Sequence, residues 1–596
     1  MTTTLESSTG VDPTPDQIVE QWLTAFAAAV ESGDATAVAA VVLPDGWWRD
    51  LLTFTWDLRS TQGREQIAAR LTEAQPAAKP GRFAISDEHA AELMEPDPDT
   101  TWVQGFFTFE TEVARGRGFV RLMPDPGDGV WKAWTLLTAM EELKGHEELK
   151  GDRRVRGTNH GMHRGTMNWL DERRAKQEFE HGEPQVVVVG AGQGGLAISA
   201  RLGQLGVDTL VVERNERIGD SWRKRYHSLV LHDPVWYDHL PYLHFPDHWP
   251  VFSPKDKIAN WFETYAEAME LNVWTSTGLE SASYDEGSGT WTVTVRRADG
   301  SRRTLKPHHV VLATGMSGVP YSPEIPGADD FQGEISHSSA YRGGADVAGR
   351  KALVVGCCNS GHDIAQELNE QGADVTILQR SSTYVMSSEH GIATLFAGTY
   401  EEGGPAVEDA DLMFASIPYP LLAEIHQGAT AQIAELDKEM IDGLESAGFK
   451  MDYGDDGSGL FLKYLRRGGG YYIDVGCSAL IASGEVAVKQ GVEIERFTPT
   501  GVVFTDGTSM DVDVVVLATG FQNMREGARA LIGDEVADNC TDVWGLDDEG
   551  ELRTIWRRSG QPGFWFMGGN LHQSRHYSKF LALQIKAIEE GLVAAQ

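Results

Sequence analysis

The chain has 596 residues, is 41% hydrophobic and carries a formal net charge of -37, a balance that supports several folded domains and excludes wholesale disorder. Binding to phosphate backbones or anionic lipid needs clustered Lys and Arg, so neither nucleic acid nor a membrane is an expected partner. The four cysteines, Cys357, Cys358, Cys477 and Cys540, form no CxxC pair, which indicates neither a disulfide framework nor a metal site and suits a reducing cytoplasm. Residues 1–17 are polar and rich in Thr and Pro, so they are expected to be flexible, and they lack the basic and apolar regions of a secretory leader. No apolar run approaches the ~18 residues of a membrane-spanning helix.

From Asp16 the pattern becomes helical: Ile18, Trp22, Leu23, Phe26 and Val30 recur on one face. "TWVQGFFTFETEV", "GRGFVRLMP" and "GVWKAWTLLTAM" follow, alternating as antiparallel strands do, with turn residues between them. Helices before a curved meander predict an α+β unit over residues 18–145. Through "WLTAFAAAVESGDATAVAAVV" and "WWRDLLTFTWDLRSTQGREQI", this part resembles the NTF2-like (SnoaL-like) cone fold. Asp50 and Asp57 are its available acids, but the first histidine is His89. No acid–base pair is evident, and a structural or dimerising role is expected. Residues 146–184 predict a helical linker ended by Gly182 and Pro184.

The next segment, "QVVVVGAGQGGLAISARLGQLGVDTLVVE", reads as strand, tight turn, helix and strand. Gly190, Gly192 and Gly195 complete GxGxxG: one glycine for the turn, one for close approach of a pyrophosphate, one for helix–sheet packing. Glu213 ends the second strand, where a carboxylate accepts from ribose hydroxyls. The pattern recurs in "KALVVGCCNSGHDIAQELNEQGADVTILQR", with Gly356, Cys358 and Gly361 at the same spacing. Its second strand ends in Gln379-Arg380-Ser381-Ser382 rather than an acid. Arginine and hydroxyls there favour a 2′-phosphate, unless Arg380 merely closes a surface ion pair. "HHVVLATG" and "VDVVVLATGF" echo each other after the two units, so the pair is an internal duplication. Glu213 suits FAD and Arg380 suits NADPH, with NADH also admissible. Hydride transfer from NADPH to flavin is the expected chemistry.

Between the units, Phe331-x-Gly333-x-x-x-His337-x-x-x-Tyr341 matches the FxGxxxHxxx(Y/F/W) fingerprint of class B flavoprotein monooxygenases. Together with both glycine motifs, both ATG strands, "GDSWRKRYHSLVLHDP" and "LPYLHFPDHWPVFSPKDKIANWFETYA", the chain resembles flavin-containing monooxygenases over residues 185–590. The extra N-terminal unit resembles the type II, Baeyer–Villiger-capable subgroup. The resemblance implies an α/β fold: two Rossmann-like dinucleotide-binding domains, for FAD (185–335 and 516–596) and for NADPH (336–515), preceded by the NTF2-like cone. It implies insertion of one oxygen atom from O2 into a small ketone, sulfide or amine through a C4a-(hydro)peroxyflavin.

Carried over residue by residue, FAD contacts fall on Gly190, Gly192, Gly195, Glu213, Ser221 and Trp222. Coenzyme contacts fall on Ser360, Gly361, Asp363 and Arg380, with Thr519 and Gly520 on the return path. Asn570, Leu571 and Gln573, at the start of the last helix, are expected to face the flavin. Asn359 reads as loop-shaping. Phe331, Gly333, His337 and Tyr341 are read as a hinge between domains.

The departure from the family is His232 in "SLVLHDP", where an asparagine is usual. An imidazole there can donate a hydrogen bond beside the flavin and changes charge near neutral pH; a satisfied structural histidine is the plain alternative. Asp233 follows it and can accept from His232, Arg223 or Arg225. His232 and Asp233 are the catalytic candidates. Tyr341 stands where Baeyer–Villiger enzymes carry Trp, which leaves the subtype open. "YIDVGCSALIASGEVAVKQGVEI" resembles plant YUCCA-type monooxygenases and motivates an indole-3-pyruvate-type oxidative decarboxylase as an alternative. A peroxide-forming NAD(P)H:flavin oxidoreductase is another. Tyr471, Tyr472 and Asp474 are expected near a substrate channel, and the helical stretch after Glu408 as a lid or homodimer face.

Overall fold

A computed structural model describes residues 13–157, 160, 165 and 167–595. The segment 1–12 and most of 158–166 lie outside the described residues. The chain divides into two units.

In the N-terminal unit the first helix, Pro15–Ser32, starts inside the span expected to be flexible. The Thr14 hydroxyl accepts from Gln17 N, and the Gln17 side chain accepts from Thr14 N; this capping box, with Pro15 in the first turn, satisfies amides that water would otherwise hold. The helix buries Trp22 and Phe26, stacked at 4.9 Å, against a seven-stranded sheet. The order is Leu58–Gln62, Val42–Leu51, Trp131–Leu143, Ala114–Pro124, Thr100–Glu110 and Gly81–Ile85, with Glu92–Asp97 also on Thr100–Glu110. The last three long strands form the expected antiparallel meander, while Val42–Leu51 joins Trp131–Leu143 in parallel.

Segments 411–418 and 548–551 belong to this unit, although the sequence places them in the two nucleotide domains. Buried side chains explain the difference. Arg49 donates from Nε and Nη2 to the two carboxylate oxygens of Glu551, both at 2.7 Å, and from Nη1 to the Ala415 carbonyl at 3.0 Å. Arg121 reaches the Ser416 hydroxyl and the Met413 carbonyl, and burial lowers its pKa to about 10. Asp50 is fully enclosed: its carboxylate accepts from Thr138 Oγ1, Thr55 Oγ1 and the amides of Phe54 and Thr55. Burial pushes its pKa up to about 6 against those donors. Asp50 therefore shapes the turn after its strand.

The second unit contains two five-stranded parallel sheets. The first runs Val273–Trp274, Thr209–Val212, Val186–Val189, His309–Leu312, Phe564–Phe566. The second runs Glu334–His337, Val514–Leu517, Lys351–Val355, Asp374–Gln379, Val486–Gln490. Continuous apolar strands such as "VVVV" are what a sheet covered on both faces needs. The duplication extends beyond the motifs, since a three-stranded antiparallel meander precedes each ATG strand (Gly278–Leu305 and Ile494–Asp511). The boundaries expected at 335 and 515 fall inside strands: all of Glu334–His337 and Val514–Leu517 belong to the second sheet, where they pair in parallel. Among its described residues the linker holds a short 3-10 helix, Gly151–Arg153, and an α-helix, Trp169–Glu178. Among the described residues no helix is long and apolar enough to cross a membrane.

Candidate active site

Each glycine turn connects the central strand of its sheet to a helix whose N-terminus points out of the sheet's carboxyl end. Gly190 has φ +108°, and a Cβ there would lie 2.6 Å from the Ala313 carbonyl oxygen. A Cβ on Gly195 would lie 1.9 Å from the Gly190 oxygen. The second turn repeats this: Gly356 has φ +112° with Ala518 O at 2.4 Å, and a Cβ on Gly361 would meet Gly356 O at 2.1 Å. Ala313 and Ala518 are the alanines of the two ATG strands, so those short side chains form the floor under each turn. Gly192 differs from its neighbours. It has ordinary φ, and nothing in the protein lies within 4 Å of its would-be Cβ; the open space there fits an incoming pyrophosphate.

Both turns open on one cavity of about 1750 Å³, well beyond the roughly 300–1,000 Å³ of a drug-sized site and large enough for two dinucleotides. Gly190, Gly192, Glu213, Ser221, Trp222, Ser360, Gly361, Arg380, Thr519, Gly520 and Asn570 line it. Glu213 Oε2 accepts from Ala191 N at 2.8 Å, and Oε1 accepts from Asn215 N and Nδ2. Oε2 keeps a lone pair for a ribose hydroxyl. Gln193 ties the flavin side together, accepting from Trp222 Nε1 and donating to Gly569 O. The residues present fit FAD on the first turn.

Arg380, at the mouth, is 74% exposed and 3.5 Å from Glu493. So loose and solvated a pair holds ~0–1 kcal/mol, which leaves the guanidinium able to turn to a phosphate; Ser381 and Ser382 line the same corner. These residues fit a pyridine nucleotide on the second turn. Cys358 points its Sγ at Gly470 N, and Cys357 contacts Thr383 Oγ1. Burial raises both thiols, Cys357 to about 12, so neither offers a thiolate near neutral pH. Asn359 Oδ1 accepts from Ile473 N and shapes the loop.

Other expected contacts do not line the cavity. Gly195 and Leu571 pack in the interior. Gln573 closes a capping box with Asn570, and its Oε1 also accepts from Tyr464 OH at 2.7 Å; it positions Asn570, which does face the cavity. Asp363 accepts from Tyr226 OH at 2.6 Å and lies 3.6 Å from His232 Nε2. His232 thus sits against Asp363 rather than on the wall. Burial by itself would lower its pKa, but Asp363, Asp233 and Asp474 together hold it above the ordinary value. His232 Nδ1 and Asp363 Oδ1 are buried without a partner. Arg223 pairs with Asp220 and Glu263, not with Asp233.

Asp233 opens instead on a second cavity of about 70 Å³, walled by Ile392, Leu395, Phe396, Leu460, Phe461 and Ile473. This chamber shares Tyr464, Tyr471 and Asn570 with the large cavity. Tyr471, expected near a substrate channel, is on the wall of both cavities. Tyr472 is not: it is buried and stacks on His362 at 3.9 Å, and Asp474 caps Ser478 N. The helix Tyr419–Leu436 packs one face into the unit.

In the fingerprint, Phe331 packs on Phe497 at 5.2 Å. A Cβ on Gly333 would meet Asp513 O at 2.4 Å. His337 Nδ1 accepts from Ser339 N, so Nε2 carries the proton and donates to Gly520 O at 3.0 Å. Burial lowers its pKa, which keeps it neutral in this link. Tyr341 is buried with its hydroxyl unpartnered.

Two parallel sheets, each with a glycine turn, one ending in an acid and one in an arginine, define a two-dinucleotide oxidoreductase. Comparison of the sequence with known families and relatives agrees. Residues 187–395 match the family model for pyridine nucleotide-disulphide oxidoreductases. The indole-3-pyruvate monooxygenase YUCCA1 of Oryza sativa subsp. japonica is 32% identical over 356 residues, 59% of this chain and 80% of the relative. The probable indole-3-pyruvate monooxygenase YUCCA1 of Arabidopsis thaliana is 31% identical over 339 residues, 56% and 75% of the two chains. A flavin-containing monooxygenase from Stenotrophomonas maltophilia superposes with a TM-score of 0.46 at 20% identity, covering 68% of this chain and 98% of that one. The chain belongs to the flavin monooxygenase family that includes the YUCCA proteins: it is an oxidoreductase that uses flavin and pyridine nucleotide.

Proposed function

We propose that this enzyme transfers one oxygen atom of O2 to a small ketone, sulfide or amine, with NADPH as the preferred reductant. The balance is substrate, O2, NADPH and a proton going to oxygenated substrate, NADP⁺ and water. The observation that carries the reading is the single cavity served by both glycine turns, with an apolar chamber bordering it at Tyr464, Tyr471 and Asn570. FAD, when bound, supplies the electron acceptor and the centre at which dioxygen is reduced.

The chain's own residues do the rest. Backbone amides at Gly192 and Cys358, the N-caps of their helices, hold the pyrophosphates, and Glu213 fixes a ribose. Asn570 caps a 19-residue helix whose positive end stabilises negative charge developing in the cavity. Asp363, itself held by the Tyr226 hydroxyl, faces His232 Nε2 and favours the charged imidazole, in which Nδ1 also bears a proton; Asp363 is thus a positioning residue. The apolar chamber excludes water from the reacting centre. The N-terminal unit, with its helices over a curved meander and its satisfied Asp50, is read as a structural NTF2-like cone.

Two measurements test the assignments. His232→Ala lowers product formed per NADPH on the order of tenfold and raises hydrogen peroxide correspondingly, within the range of one positioned proton donor; unchanged coupling removes His232 from the mechanism. Arg380→Ala raises the KM for NADPH by roughly 10–100-fold, the worth of one charged hydrogen bond, and leaves NADH within a factor of two. Equal losses for both coenzymes contradict the 2′-phosphate role.

A further inference from the structure

We infer that Asp233 makes the small chamber a charge filter: uncharged or cationic substrates enter, and anionic ones, 2-oxo acids included, are turned away. The inference rests on the chamber being the substrate pocket of the proposed reaction.

The chamber's lining has one ionisable acid and no Lys, Arg or His among the described residues. Two of its other polar residues already hold partners. Tyr464 donates to Gln573 Oε1. Asn570 accepts from Gln573 N with its oxygen and donates to Tyr237 OH with its amide nitrogen. The wall carries no cation to balance a carboxylate, and the Asp233 carboxylate opposes one. Burial pushes Asp233 up to about 6, with His232 restraining the rise, so it is ionised at neutral pH and above. The titratable groups facing it are His232 beside it, Asp238, and the phenols of Tyr237, Tyr464 and Tyr471; the histidine is the one cation among them. The chamber is small, about 70 Å³, so a charged group entering it is held close to the carboxylate. Two like charges about 5 Å apart at an effective dielectric of ~20 repel enough to cost on the order of 100-fold in occupancy, a cost fully expressed only about two pH units above the acid's pKa of about 6, because closer to that value the acid takes up a proton instead. The relatives named for indole-3-pyruvate act on an anion. This chain shares their family, but its chamber carries no group suited to that charge.

The test uses the flavin-loaded full chain with NADPH and three sulfides that share one reacting atom: methyl propyl sulfide, 2-(methylthio)ethylamine and methylthioacetate. Sulfoxide formation is followed as kcat/KM. At about pH 8 the neutral and cationic sulfides are expected to exceed the anionic one by on the order of 100-fold. Asp233→Asn narrows that ratio at least tenfold, whatever it does to the absolute rates. The variant changes the net charge of the chain by one in a total of -37, so the narrowing reads the local charge and not long-range steering. Lowering the pH through about 6 narrows the wild-type ratio as well, since Asp233 takes up its proton there. An anion-to-neutral ratio near one, or a ratio that Asp233→Asn leaves in place, overturns the filter. Sulfoxide from none of the three removes sulfides from the proposed reaction, and the filter with it.

Discussion

Glu551→Gln destabilises the N-terminal unit by about 3–5 kcal/mol, the cost of leaving one member of a buried ion pair without its partner. Arg49 and Glu551 are each 1% exposed, and both carboxylate oxygens are engaged by Nε and Nη2. Ser60 Oγ adds a further donor at 2.6 Å. An amide of the same size keeps the shape but cannot balance the guanidinium charge, and one of its ends presents N–H to N–H. With a urea slope of ~1–3 kcal/mol/M, the unfolding midpoint of this unit drops by more than 1 M. The double variant Arg49→Met with Glu551→Leu recovers most of the loss, because removing both charges also removes their desolvation cost. A midpoint within 0.2 M of wild type for Glu551→Gln, on the order of the error of such measurements, contradicts the account. The same geometry forecasts that residues 1–147 expressed alone are unstable. That fragment lacks Ala415, Ser416, Glu549 and Glu551, which meet Arg49, Arg121, Arg59 and Arg70.

Gly195→Ala and Gly192→Ala are expected to lose bound flavin for different reasons. At Gly195 the new methyl would sit 1.9 Å from the Gly190 carbonyl oxygen, so the helix Gln193–Gln204 must lift from its strand. Overpacking of that kind costs ~1–3 kcal/mol or more, and both fold stability and flavin content fall. At Gly192 the backbone is ordinary and the space is open. The apoprotein therefore melts within about 1 °C of wild type, a change worth less than ~0.5 kcal/mol, yet the methyl occupies the place of the pyrophosphate and flavin affinity falls by at least ~100-fold. The absorbance of purified protein, read beside its thermal unfolding, separates the two. A yellow, fully loaded Gly192→Ala protein contradicts the assignment of this turn to the flavin.

The features that could be read from the sequence are those written in contiguous residues. The two glycine turns, their strand-end acid and arginine, and the fingerprint from Phe331 to Tyr341 each occupy a short stretch whose chemistry depends on spacing. The structure places those stretches as local backbone rules require. What escaped were pairings between distant residues. Arg49 and Glu551 are 502 positions apart, and nothing near either announces the other. Asp363 stands two residues past the last glycine of the second turn, a place that reads as a coenzyme contact; its partner Tyr226 lies 137 residues earlier and turns it toward His232. The chamber was legible only at Tyr471. Its walls come from Ile392, Phe396 and Phe461, apolar residues with no pattern to distinguish a pocket from a core. Gln193 was the one missed residue with a local signal, since it occupies the middle of the first turn beside the flavin site.

The most direct test of oxygen transfer is the fate of the oxygen atoms. The flavin-loaded enzyme is supplied with NADPH, methyl propyl sulfide and isotopically labelled dioxygen, and the product is weighed by mass spectrometry while NADPH consumption is recorded. The account predicts sulfoxide carrying one labelled atom, formed nearly one-for-one with NADPH oxidised. Unlabelled product, or labelled hydrogen peroxide accounting for all the NADPH with every sulfide and ketone tried, would contradict it.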